Sequence, residues 1–196
     1  MTNKKNSSKK EIKIINDKKR QNDIEYTPEK ELYVIERENA IKRIKIADHM
    51  LSVTYQTLNE PKILIGVLEN IFLALTCSIS SILYLERKYK EVPPFRDNFD
   101  SKYRIFKTYT AKKFKIDNEI IRIIKEVKDI IEAHHKSPIE FSKEGNFIIC
   151  SSNYDIKKIN VNELKHYINK AKVFIHDINS IIFKHESRNS RIFRRN

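Results

Sequence analysis

The chain has 196 residues and a net charge of +13, with 39 Lys and Arg against 26 acids. That length suits one domain with an appreciable core. Only two glycines and five prolines occur, which excludes Gly-rich phosphate cradles such as GxGxxG or GxxxxGK[ST] and points to a helical chain.

Residues 1–26 are polar and lack hydrophobic period, as expected of a disordered basic arm. Thr27-Pro28-Glu29 reads as N-cap, N1 proline and first-turn acid. The helix it opens is predicted to run to about Leu58, with Ala40, Ile44, Ala47, Leu51, Thr54 and Leu58 on its apolar face. The short turn Asn59-Glu60-Pro61 returns a second helix antiparallel to it, over about 62–90. Val92-Pro93-Pro94 stops that helix. Asp97 is the expected N-cap of a third, whose stripe is Phe99, Tyr103, Phe106 and Tyr109 or Thr110. A fourth covers about 117–135, with Ile120, Ile124, Val127, Ile131 and His134 on one face. The short β-prone runs IEF, NFIICS and YDIKKI then predict a small antiparallel hairpin or meander over about 139–159. Asn160 with Glu163 makes a capping-box start for a last helix to about His185, carrying Leu164, Tyr167, Ala171, Phe174, Ile178 and Ile181. The expected fold is an all-α bundle of about five helices over 27–186, followed by a basic tail, 187–196.

The run Ile63 to Leu85 is apolar and long enough to span a bilayer. Its polar residues gather instead on one stripe. At about 100° per residue, Thr76, Ser80 and Tyr84 fall within about 60° of Glu69. A polar stripe beside a wide apolar face suits the central helix of a bundle, so a membrane span is the lesser expectation. Glu69 is expected to pair with a cation of the first helix such as Arg43.

The charge is concentrated at the ends. Residues 1–27 hold eight Lys and Arg against four acids, and 184–196 hold five against one. Basic ends are electrostatic handles for nucleic acid or anionic surfaces; a general Lys-rich composition is the alternative. The N-terminus lacks the apolar segment of a secretory signal. Cys77 and Cys150 read as buried thiols of a reducing, cytoplasmic compartment, with no metal cluster and no cofactor expected.

Two constellations are candidates for function. Phe99, Tyr103, Phe106 and Tyr109 are interleaved with Lys102, Arg104, Lys107, Lys112 and Lys113. Exposed aromatics among cations stack bases while the cations hold phosphates; helical spacing favours an apolar stripe facing the core with a solvated basic back. Arg188, Arg191, Arg194 and Arg195 extend this basic surface. The second is Lys128-Asp129-Ile130-Ile131-Glu132-Ala133-His134. This segment resembles the HEPN superfamily of small helical bundles, in which an Arg, often followed by a polar residue, precedes a His by four to six positions. The resemblance implies a homodimer and metal-independent RNA cleavage, with Lys128 in the Arg position, Asp129 in the polar position and His134 assisting 2′-hydroxyl attack. Lys departs from the pattern by supplying a point charge in place of a planar fork of donors. The leading expectation is a non-catalytic bundle that binds RNA or an RNA–protein assembly. A HEPN-like ribonuclease is second, and a membrane-associated adaptor using 63–85 is third.

Overall fold

The computed structural model describes residues 29–151 and 155–193, and the side chains of 32–151 and 155–187. The arm 1–26, the cap at Thr27-Pro28, and Arg194 and Arg195 lie outside the described residues, as do the side chains of Arg188 and Arg191. The elements are α1 (Glu29–His49), a π-helical turn (Met50–Thr54), α2 (Tyr55–Leu58), α3 (Ile63–Lys88), α4 (Phe99–Ile105), a second π-turn (Phe106–Thr110) and α5 (Ala111–Lys113). There follow α6 (Asn118–Lys136), β1 (Ile139–Lys143), β2 (Asn146–Cys150), β3 (Ile156–Ile159) and α7 (Val161–Phe193). With the π-turns joined to their neighbours, the described residues form an all-α bundle of five rods and one antiparallel sheet, ordered β1-β2-β3.

The apolar run forms α3, the hub against which α1, α4, α6 and α7 pack. Leu64, Leu68, Ile71, Leu75, Ile79, Ile82, Leu83 and Leu85 are fully buried, each worth about 1.5–3 kcal/mol relative to exposure. By length and composition α3 could cross a membrane, yet over half of its most apolar window is buried inside the bundle. Asn59 closes α2 in the left-handed region, donating to Tyr55 O at 2.8 Å, and the chain turns back. Arg43 meets Asn70 and Met50 meets Gly66, in opposite order along the two rods, so α1 and α3 are antiparallel.

Four boundaries differ from the periodic expectation. The first π-turn carries Tyr55 into the core in place of Thr54 and leaves Leu58 62% exposed. Tyr55 also donates to Gly145 O at 3.2 Å, tying the helical hairpin to the β1–β2 turn. That turn has positive φ at both Glu144 and Gly145, the signature of a type I′ hairpin. Asn98, not Asp97, caps α4, accepting from Ser101 N at 2.9 Å, because the Asp97 carboxylate is drawn to Lys102 and Tyr84. Along α7 the buried residue is Ile182 rather than Ile181, because the step from Leu164 to Ile182 is about five whole turns. Finally, α7 runs past the expected end near His185 to Phe193. Asn160 does open it as expected, accepting from Glu163 N at 2.9 Å.

Candidate nucleic-acid interface

The polar stripe of α3 divides into two unrelated halves. At its C-terminal half, Lys102 lies buried and places Nζ 2.7 Å from Asp97 Oδ1 and 2.9 Å from Ser80 Oγ. Tyr84 OH donates to the same Asp97 oxygen at 2.7 Å. Hydrogen bonds from Lys102 and then Tyr84 hold the Asp97 carboxyl below its ordinary range. Ser80 and Tyr84 therefore belong to a structural clasp, and Lys102, expected to contact nucleic acid, is consumed in it. At the N-terminal half, Glu69 is half-buried and takes no ion pair among the described residues. Its expected partner Arg43 donates to Asn70 Oδ1 at 3.3 Å instead. Thr76 Oγ1 is buried without a hydrogen-bond partner.

Cys77, on the neighbouring face of α3, is a free thiol. Burial, and then the nearby Glu36 carboxylate, pushes its pKa up to about 12. At pH 8 only about one part in ten thousand would be thiolate. Cys77 is expected to alkylate far more slowly in native protein than in denaturant. Equal rates in the two states, read by peptide mass spectrometry, would contradict this.

A second polar cluster carries no periodic signal. Glu86 is fully buried near the end of α3. It accepts from Thr110 Oγ1 at 2.5 Å and from Lys113 Nζ at 3.0 Å. Lys113 also reaches Glu91 at 2.7 Å, and His185 of α7 lies 2.9 Å from the same carboxylate. Burial opposes ionisation of Glu91, but hydrogen bonds from Lys113 and His185 prevail and its pKa is lowered. Lys113, expected as a nucleic-acid contact, is thus mainly a partner of Glu86 and Glu91.

Lys128, Asp129 and His134 are not brought together. Six residues of helix place Lys128 and His134 about 120° apart. Lys128 pairs with Asp100 at 2.7 Å and Glu132 at 3.1 Å, its ammonium 5.3 Å from the Phe99 ring centroid. The hydrogen bond it donates to Asp100 is the leading cause of its raised pKa. His134 Nδ1 sits 2.6 Å from Glu140 Oε1 of β1, with its ring against Phe147. Asp129 is exposed and borders a separate small cleft with Glu132 and Lys136. His134 joins α6 to the sheet.

The aromatic and basic segment is rearranged by its π-turn. Phe106 is fully buried, edge-on to Phe174 at 5.8 Å. Phe99 and Tyr103 are half-buried and stack on each other at 5.5 Å, and Tyr103 donates to Ile121 O at 3.0 Å. In a regular helix Tyr109 would lie only about 60° from Phe106. The wider π-turn swings Tyr109 out to 45% exposure and seats Thr110 on Glu86. The stripe therefore faces the core as expected, with Thr110 and not Tyr109 as its last member, while Lys102 and Lys113 of the basic back are taken up by Asp97 and by Glu86 and Glu91.

On that back, Arg104, Lys107 and Lys112 are exposed, and Lys115 follows at the corner before α6. None of these four is in an ion pair among the described residues. Lys107, Lys112 and Lys115 border a cleft of about 540 Å³. Lys115 also borders a second cleft, of about 550 Å³, between this corner and α7. The second cleft is lined by Phe114, Val173 and Phe174, by Lys170 and Lys184, and by the carboxylates of Asp117 and Asp177. Lys170 is paired with Glu119. From Arg104 to Lys115 the cations extend over about 16 Å. Among the described residues no group of His, Cys, Asp and Glu could hold a metal ion. Comparison with protein-family models, curated proteins and solved structures finds no match to this chain.

Proposed function

We propose that this chain binds RNA, free or within a ribonucleoprotein, and that the α4–α5 rod supplies the interface. The observation that carries the reading is the row of Arg104, Lys107, Lys112 and Lys115, all exposed and none in an ion pair among the described residues, the three lysines bordering one cleft. Such a row attracts a phosphate backbone without regard to sequence. Tyr109 stands exposed among these cations as a surface on which a base can stack. The basic arm 1–26 and the arginines of the last ten residues add positive charge.

The test is RNA binding measured across a salt series with the full chain and with Lys107→Glu/Lys112→Glu/Lys115→Glu. Each phosphate contact on a single strand contributes about 0.7 to the slope of log K against log salt. The triple variant is expected to lower that slope by about 2 and to bind at least tenfold more weakly. Deleting 1–26 and 194–196 should weaken binding further. Unchanged affinity and slope in the triple variant would move the interface elsewhere.

A further inference from the structure

The geometry points to single-stranded RNA as the form recognised, with an unpaired base laid in the cleft between the Phe114–Asp117 corner and α7. This rests on the RNA reading above and adds to it the class of strand. The cation row would hold a backbone of either form. The cleft beside it discriminates, because it carries apolar surface: Val173 is 60% exposed and Phe114 half-buried, over the buried ring of Phe174. Phosphates alone leave such a surface wet. A duplex keeps its base faces stacked inside, whereas a single strand can turn one outward onto an apolar or aromatic surface. At about 550 Å³ the cleft is within the usual range of small-ligand sites. Asn169 of α7 stands in it as a polar group for a base edge, and the Asp177 carboxylate can accept from an exocyclic amine.

Lys115 links the two parts, since it borders both clefts. Its backbone is left-handed, as is that of Lys90 after α3. With φ +52° it occupies the left-handed position after α5, and Ile116 N donates to Ala111 O at 2.9 Å across it. This is the helix-ending arrangement that normally takes glycine. Lysine there places a cation at the junction between backbone row and base cleft, at the expense of local backbone strain.

The experiment measures fluorescence anisotropy of a labelled 12-nucleotide single-stranded RNA, and of the same strand annealed to its complement, on the full chain and two variants. The wild type is expected to bind the single strand about tenfold more tightly than the duplex. Val173→Asn should weaken single-strand binding several-fold while leaving the salt slope unchanged, because no cation is removed. Lys115→Gly should lower the slope by about 0.7 while raising the melting temperature, which separates a ligand-binding role from a structural one. Equal affinity for duplex and single strand, with the salt slope retained, overturns the single-strand assignment and leaves the RNA reading standing. Binding to neither form overturns both.

Discussion

Lys113→Ala is expected to destabilise the fold by about 3 kcal/mol, far more than a surface lysine normally would. The reason is the fully buried carboxylate of Glu86, whose charged partner is Lys113 at 3.0 Å. Removing one member of a buried pair leaves the other uncompensated, at about 3–5 kcal/mol. The lower end applies because the Lys113 side chain is 44% exposed and water screens part of the interaction. Thr110→Val should cost about 1–3 kcal/mol by deleting the other hydrogen bond to the same carboxylate. Lys113→Met combined with Glu86→Gln is expected to recover part of the loss, since no buried charge then remains. Urea melts of Lys113→Met, Glu86→Gln and the pair, with unchanged slope, would measure this as a double-mutant cycle. A loss under 0.5 kcal/mol in Lys113→Ala would mean that Glu86 is satisfied by something other than this pair.

The second large effect is expected along α3. Leu75→Ala should cost about 2–5 kcal/mol, because the side chain is fully buried and its removal leaves a cavity. Leu73→Ala, two residues away, should cost well under 1 kcal/mol, because Leu73 is already 39% exposed. Denaturant unfolding of both variants in plain buffer checks the pair. The asymmetry is local to this level of α3: the Leu75 side is covered by the bundle and the Leu73 side is not, whereas Ser78 to Glu86 are buried all round. Equal costs at the two positions would contradict a bundle packed in this way.

Periodicity and punctuation made most of the architecture legible. Asn160 opens α7 and the Glu144-Gly145 pair sets the β1–β2 hairpin, because each acts through its own backbone within a few residues, whereas α3 ends at Lys88 on the left-handed Lys90, ahead of the expected stop at Pro93-Pro94. The π-turns were not legible. Both sit in segments whose apolar residues fit an ordinary helix, and what distinguishes them lies elsewhere in the fold. Thr110 is seated on Glu86, twenty-four residues away, and Tyr55 reaches the Gly145 carbonyl, ninety residues away.

For the candidate site, residue type indicated which side chains carry charge but not which of them were free to use it. Lys102 and Arg104 look alike in the sequence, two positions apart. Folding buries the first against Asp97 and Ser80 and leaves the second exposed. Lys128 and His134 shared a suggestive spacing, yet their pairings run to Asp100 and Glu140, on different elements.

By itself the sequence determined a helical bundle with a small sheet before its last helix, a central apolar rod and a strongly basic charge. These follow from period, caps and composition, which are local or additive. Only the tertiary structure decided that Glu86 is buried with Thr110 and Lys113, that Tyr109 faces outward, and that Lys107, Lys112 and Lys115 gather at one cleft. Those outcomes depend on which distant side chains meet, and a buried charge is satisfied by whatever partner the packing of several helices brings within hydrogen-bonding distance.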